Sequence, residues 1–362
     1  MDIALETTAR PIGRREAERF CVEILPAVSR TFALSIRVLP GALGRAVLAA
    51  YLLCRIADTI EDEPVLPAGD KAALLDRLLE CFDRPAAAHE LVASLATLAG
   101  DPAHVRLARH THLVFALYRT LPDRSQGHVR RWVEEMVRGM RKFVILYPNG
   151  IRIQTLDEYR EYCYYVAGTV GYMLTDLWRE HSRSIGDERY RVLRERCRAF
   201  AEALQTVNIL KDVAQDAEHE NSIYVPEHTL REHGSGHATI LSPAHLRQNH
   251  AALGSLERLA WADLDEALGY FLLLPRRALP IRLFCVLPLL FAYATLRDLT
   301  RSTAMLVAGG GVKISRAEVR SLLVVGPLVA ASNGGVRWLV ERVRLRAFVL
   351  GGRGRAVVPA TR

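Results

Sequence analysis

The stretch at 204–216, LQTVNILKDVAQD, limits more than any other how this chain can fold. Asn208, Asp212 and Asp216 recur every four positions, and Gln205 lies seven before Asp212, so on a helix all four share one face. Leu204, Val207, Ile209, Leu210 and Val213 fill the remaining faces. Two carboxylates and an amide among apolar neighbours repel one another and lose hydration unless something positive occupies the space they face. A second copy of the arrangement lies upstream in YLLCRIADTIEDEP, where Asp58 and Asp62 are again four apart with Glu61 beside them. Carboxylates facing each other across a cavity suit Mg²⁺, which takes oxygen ligands, keeps several waters and bridges to phosphate oxygens. A phosphate ester is the substrate this implies; the competing reading is a pair of solvated acidic helix faces.

At 362 residues, 50% of them hydrophobic, the chain has material for one large core or two small ones, and no break forces a second domain. The first twenty residues are polar and charged and carry no secretory pattern, so a cytoplasmic location is expected. The cysteines, Cys21, Cys54, Cys81, Cys163, Cys197 and Cys285, are scattered singly with no CxxC pair, which reads as buried reduced thiols. A net charge of +8 suits nucleic acid, an anionic membrane surface or a phosphorylated substrate equally, and charge alone does not choose.

Apolar residues recur at three and four positions in 16–36, 43–60, 72–82 and 91–98, and alternating patterns are scarce, so the expected class is all-α. Pro40-Gly41, Glu63-Pro64 and Pro67-Ala68-Gly69 punctuate the first part as loops, and 218–243 is expected to be irregular. At 132–147 Met136, Met140 and Phe143 line one side of a helix, with Gly139 permitting close approach; by itself that is core packing. Tyr165 sits in an apolar helix beside Ala167, Gly168 and Gly171, and a buried phenol there needs a hydrogen-bond partner. The apolar run 281–296, interrupted by Arg282 and Pro288, is shorter than the ~20 residues of a bilayer span and reads as a core helix. After 335, Arg337, Arg342, Arg344, Arg346, Arg353 and Arg355 surround Trp338, Phe348 and Leu350. A basic amphipathic tail that lies on an anionic membrane and a disordered solubilising tail both fit that pattern.

Ser29-Arg30-Thr31-Phe32, the segment 51–62, YCYYVAGTVG at 162–171, the segment 205–216 and FCVLP at 284–288 together resemble the squalene and phytoene synthases, in the family order. The resemblance implies an isoprenoid synthase-type helical bundle around a central cavity at 1–335, followed by the basic amphipathic or disordered tail at 336–362. It implies Mg²⁺ at Asp58, Glu61, Asp62, Asp212 and Asp216, and diphosphate at Arg30, Arg55, Lys211 and Gln205. An Arg fork suits phosphate oxygens, and Arg55 stands one turn before Asp58. By the same resemblance Tyr165 moves a proton and steadies a carbocation, while Phe32 and Phe284 offer only their π faces. Gly311-Val312-Lys313-Ile314-Ser315-Arg316 resembles a segment of squalene synthases that contacts NADPH phosphates. Lys313, with Tyr51 and Asn208, is therefore the expected cofactor set, in a chain without a Rossmann glycine fingerprint.

Two departures bear on that cofactor. Between Asp216 and Tyr224 the family usually carries a diphosphate-binding Arg, where this chain has Ala217-Glu218-His219-Glu220-Asn221-Ser222-Ile223. Ser315 stands where squalene synthases commonly have a second basic residue, with Arg316 next to it. The implied activity is head-to-head coupling of two farnesyl diphosphates to presqualene diphosphate and NADPH-dependent reduction to squalene. The alternatives stop at presqualene diphosphate or make dehydrosqualene, hydroxysqualene or phytoene. A terpene cyclase and a non-catalytic membrane-binding protein are the remaining readings. No nucleic-acid partner is expected, and the tail is expected to make peripheral contact with the inner membrane face.

Overall fold

The structure, a computed structural model, describes residues 13–351. Among these, helices follow one another and no strand forms: α1 (Arg14–Val28), α2 (Arg30–Arg37), α3 (Gly41–Glu61), α4 (Ala68–Asp83), α5 (Ala87–Ser94), α6 (Pro102–Ala108), α7 (Thr111–Tyr118) and α8 (Asp123–Leu146). The second half continues with α9 (Leu156–Cys163), α10 (Thr169–His181), α11 (Asp187–His219), α12 (Glu227–Glu232), α13 (Leu246–Leu273), α14 (Leu279–Leu299), α15 (Arg316–Val329) and α16 (Asn333–Leu345). The all-α class expected from the apolar periodicity is what the chain adopts. A single isolated bridge, Arg152 to Ile223, is the one extended pairing among the described residues.

Local chemistry sets the boundaries. The expected helix over 16–36 breaks at Ser29, whose extended backbone lets its hydroxyl accept from the Phe32 N–H at 3.1 Å and start α2, a cap of about 1 kcal/mol. Pro67 precedes rather than breaks a helix, so Ala68 and Gly69, expected in a loop, open α4. The stretch at 218–243 holds the end of α11 and all of α12, and is less irregular than its Gly and His residues imply. Between α9 and α10 the chain makes one π turn, Tyr164–Gly168. Such a turn is wider than an α turn and rotates the helix beyond it relative to the helix before.

α14 runs through the middle and is held from both ends by buried guanidinium groups. Arg282 is fully buried and donates to the Leu274 and Ala330 carbonyls and to Asn333 Oδ1. Arg297 makes a two-pronged pair with Glu318 at 2.8 and 2.9 Å and a third bond to the Val343 carbonyl. At 21 residues α14 is long and apolar enough to cross a membrane by those measures alone, and longer than the 281–296 run suggests, yet the bundle buries it.

The expected division at 335/336 is corrected by the packing of α16. Val336, Leu339, Val340 and Val343 of α16 are buried, and the helix packs on α14 and α15. Residues 336–345 therefore belong to the bundle, because the spacing of these four apolar positions outweighs the arginines between them. Arg353 and Arg355 lie outside the described residues.

Candidate active site

α2, α3, α8, α10, α11 and α14 enclose a cavity of about 1130 Å³ including its open mouth. One part of its wall is apolar, with Phe284, Cys285 and Pro288 from α14, Trp178 from α10 and Phe200 and Leu204 from α11. Phe32 faces Phe284 at 6.3 Å between ring centroids, and Trp178 meets Phe284 edge-on at 5.3 Å. The wall can come close where side chains are small: a Cβ on Gly171 would lie 2.3 Å from the Cys197 carbonyl oxygen, so α10 and α11 touch there backbone to backbone. Cys54, Cys197 and Cys285 line the cavity as free thiols, and all six cysteines are buried, as their scattered placement predicts.

The other part of the lining is polar and holds Tyr51, Arg55, Asp58, Gln205 and Asn208. The Arg55 guanidinium donates to the Tyr51 hydroxyl at 3.3 Å and pairs with Asp58 at 3.4 Å, while the Tyr51 hydroxyl donates to the Val28 carbonyl. Although burial opposes its charge, the Asp58 and Tyr51 contacts hold Arg55 above its ordinary range. Its Nε is buried without a partner. Lys211 pairs with Asp212 at 2.8 Å. α2 starts at Arg30, whose side chain lies outside the described residues.

The two acidic motifs face each other across this region. Burial raises the Asp58, Glu61 and Asp62 carboxyls, and for Asp62 the next cause is Glu220, which stands just past the end of α11. Burial, then Asp212, then Asp62 push Asp216 up to about 8. Burial with Asp216 and Asp212 pushes Glu220 up to about 7. Each shift means that negative charges on α3 and α11 sense one another through a poorly hydrated gap. Glu61 is 7% exposed and its Oε1 has no hydrogen-bond partner, which a cation would supply. Among the described residues no three His, Cys, Asp or Glu side chains close around one point, so the carboxylates line two facing helices rather than forming a cage. That build fits Mg²⁺, which leaves coordination positions to water and phosphate.

Two residues beyond the expected set, Glu220 and Lys71, belong here. Glu220 lies one turn past Asp216 and, with Lys71, Glu61, Asp62 and Tyr224, lines a cleft beside the acidic groups. Gln215, at the position that corresponds to Glu61 in the first motif, is exposed instead. The signal for Glu220 in the sequence is its spacing of four from Asp216, masked by the polar residues that suggest the helix has already ended. Lys71 donates to the Glu61 carbonyl at 2.7 Å. Glu63, by contrast, turns away and accepts from the Ala99 and Gly100 N–H groups.

Tyr165 is absent from the cavity wall and packs on Gly139 of α8, edge-on to Tyr164 at 5.2 Å. Tyr162 and Tyr224 are phenols beside the acidic groups: Tyr162, also outside the cavity lining, is 3% exposed, stacked on Tyr224 at 4.9 Å and raised by burial and by Glu61. The π turn after Tyr162 separates the directions of two rings that a regular helix would hold nearer together. Of the expected cofactor set, Tyr51 and Asn208 line the cavity, whereas Lys313 is exposed and outside its lining. The segment before Lys313 is tied to α11 by the Gly309 N–H, which donates to Glu218 at 3.0 Å.

A greasy chamber with an acidic and basic mouth is the build of a helical enzyme that handles an ester with a charged head and a hydrocarbon tail. Residues 25–318 match the squalene/phytoene synthase family, and the chain belongs to that family, an enzyme family of the prenyltransferase type. It is 26% identical over 296 residues to the squalene synthase of Schizosaccharomyces pombe, covering 78% of this chain and 60% of that one. With the squalene synthase of Ganoderma lucidum it shares 28% over 331 residues, covering 86% and 66%. The chain thus spans about two thirds or less of these relatives' lengths. Among solved structures, TcSQS with the ligand BPH1237 superposes with a TM-score of 0.78 at 24% identity, over 93% of this chain and 94% of that one. The squalene synthase HpnC from Alicyclobacillus acidocaldarius gives 0.57 at 23%, over 81% and 97%. Both likenesses show the fold.

Proposed function

We propose that this protein couples two molecules of farnesyl diphosphate head to head into presqualene diphosphate and then reduces that product to squalene. The observation that carries the reading is the facing of Asp58 and Asp62 on α3 with Asp212 and Asp216 on α11 beside an apolar cavity. These four aspartates with Glu61 would hold Mg²⁺, which when bound supplies the positive charge that neutralises a departing diphosphate.

Arg55 and Lys211 stand on the same side as the carboxylates and bring donors to phosphate oxygens, with Gln205 lending its amide. Charge placed in advance where the leaving group develops it is the main source of rate in such a site. Loss of diphosphate leaves an allylic cation, the double bond of the second molecule attacks it, and a proton leaves as the cyclopropane closes. Phe32 and Phe284 present π electrons to the cation without being alkylated readily. By the family resemblance Tyr165 would move the proton; Tyr162, beside Glu61 and Asp62, is the second candidate. The apolar wall keeps out water that would quench the cation.

NADPH, when bound, supplies the hydride of the second half-reaction, and Tyr51 and Asn208 fit a nicotinamide beside the cavity. Lys313, exposed and outside the lining, favours a second reading in which the enzyme releases presqualene diphosphate or a non-reduced C30 product. Incubating the pure protein with farnesyl diphosphate and Mg²⁺, with and without NADPH, tests both. Squalene only with NADPH supports the first, presqualene diphosphate, dehydrosqualene or hydroxysqualene under both conditions supports the second, and no C30 product overturns both. Phytoene from geranylgeranyl diphosphate alone would move the assignment to the C20 substrate.

A further inference from the structure

The outer face of α15 and α16 is unlike the rest of the surface. Along α15, Arg316, Arg320, Val324 and Leu328 follow at intervals of four and form one exposed stripe, two cations and then two aliphatics. Val324 is 53% and Leu328 77% exposed, in a protein that buries most side chains of this kind. The segment after α16 packs against α15, because the Phe348 N–H donates to Glu318 and the Leu350 N–H donates to Ser321, both on the buried side of that helix. Trp338 of α16 meets Phe348 edge-on at 6.0 Å and carries the patch across to the neighbouring helix. Leu345 and Leu350, 70% and 53% exposed, extend it.

Arg316, Arg320, Arg337, Arg342 and Arg346 surround these side chains, and among the described residues none of them pairs with a carboxylate. Glu318, the acid that α15 does carry, is buried on Arg297 and takes no part in the surface charge. Unpaired guanidiniums around protruding leucines suit an anionic bilayer, whose headgroups take the cations while the acyl boundary takes the aliphatics. A nucleic acid would leave Leu328 and Leu345 in water.

We propose that the α15–α16 face docks this protein on anionic lipid bilayers, independently of the chemistry in the cavity. The face is built from folded helices, so it does not need the basic tail beyond residue 351. Only α14 separates it from the apolar cavity: Gly326 of α15 sits against Leu287 and Leu290, and Phe284 and Pro288 on the other side of α14 line the chamber. Docking there sets the chamber one helix away from the phase in which a hydrocarbon dissolves.

Sedimentation of the full-length protein with phosphatidylcholine vesicles, with and without phosphatidylglycerol, tests this with no substrate present. Binding is expected only with phosphatidylglycerol, and Leu328→Asp and the double variant Arg337→Glu/Arg342→Glu should each weaken it about tenfold or more. All three positions are exposed, so unchanged helical circular dichroism and melting confirm the fold, and unchanged turnover in detergent separates this result from the fate of the proposed activity. Binding that ignores phosphatidylglycerol, binding that survives both variants, binding only to a DNA oligonucleotide, or a dimer dissolved by Leu328→Asp in place of vesicle binding would each overturn the proposal.

Discussion

Gly139 and Tyr165 meet as backbone against ring: a Cβ built on Gly139 would fall 2.0 Å from the tyrosine Cγ. The contact lays the Tyr165 ring against α8, while Tyr162 and Tyr224 are phenols near the carboxylates. Tyr165→Phe and Tyr162→Phe separate the two candidates: loss of the phenol that moves the proton should lower turnover about a hundredfold, and loss of the other should leave it within about threefold. Steady-state rates of farnesyl diphosphate consumption compare the two. Equal losses would mean that neither phenol carries the step alone.

Replacing Gly139 by Ala forces the Tyr165 ring aside in a packed seam, at a cost of about 1–3 kcal/mol. Urea denaturation followed by circular dichroism reads that loss directly. A neutral result would mean that the ring has room to move.

Asp58→Asn and Asp212→Asn are each expected to reduce product formation about a hundredfold or more, since each removes charge on one side of the gap. Glu220→Gln should weaken Mg²⁺ binding several-fold by titration calorimetry, whereas Gln215→Ala, at an exposed position, should leave it unchanged. Mg²⁺ itself should raise the melting temperature of the wild type, because a ligand of the folded state stabilises it, and chelation with EDTA should reverse the gain.

His112 lies between His89 and His110, at 4.9 and 5.9 Å between ring centroids. Burial, with His89 and His110 adding to it and Glu16 opposing, lowers its pKa to about 4 from the ordinary 6.5. A histidine whose folded pKa is depressed favours the fold when neutral, so its contribution is complete above about 6.5 and is lost as pH falls towards 4. The melting temperature is expected to fall across that window, and His112→Asn should flatten the fall. An unchanged slope would rule out this source.

Arg297 and Glu318 form the buried pair that joins α14, α15 and α16. Glu318→Gln removes one of the two carboxylates that pair with Arg297, Asp298 remaining at 2.8 Å, and should cost about 1.5–3 kcal/mol by urea denaturation. A loss below about 1 kcal/mol would place the pair with exposed ion pairs instead.

The bundle and the facing of the two acidic motifs were legible because both depend on local periodicity. Spacing by four on an apolar helix names the face of Asp212 and Asp216 whatever the rest of the chain does. Tyr162 and Tyr165 were not separable in that way, since the π turn between α9 and α10 is a response to packing and has no composition of its own. Glu220 was missed because α11 runs further than the polar stretch at 217–223 implies. α16 was misjudged for the opposite reason: its arginines are conspicuous, and the buried Val336, Leu339, Val340 and Val343 between them decide the outcome.

The cysteines on the cavity wall have a practical consequence. Burial pushes the Cys197 thiol up to about 12 and raises Cys54 and Cys285 as well, so at neutral pH they stay protonated and slow towards electrophiles. Small alkylating reagents should reach them only through the chamber, and a bound hydrocarbon chain would shield all three together. Mass spectrometry of their labelling would then report how full the chamber is, without any need to follow catalysis.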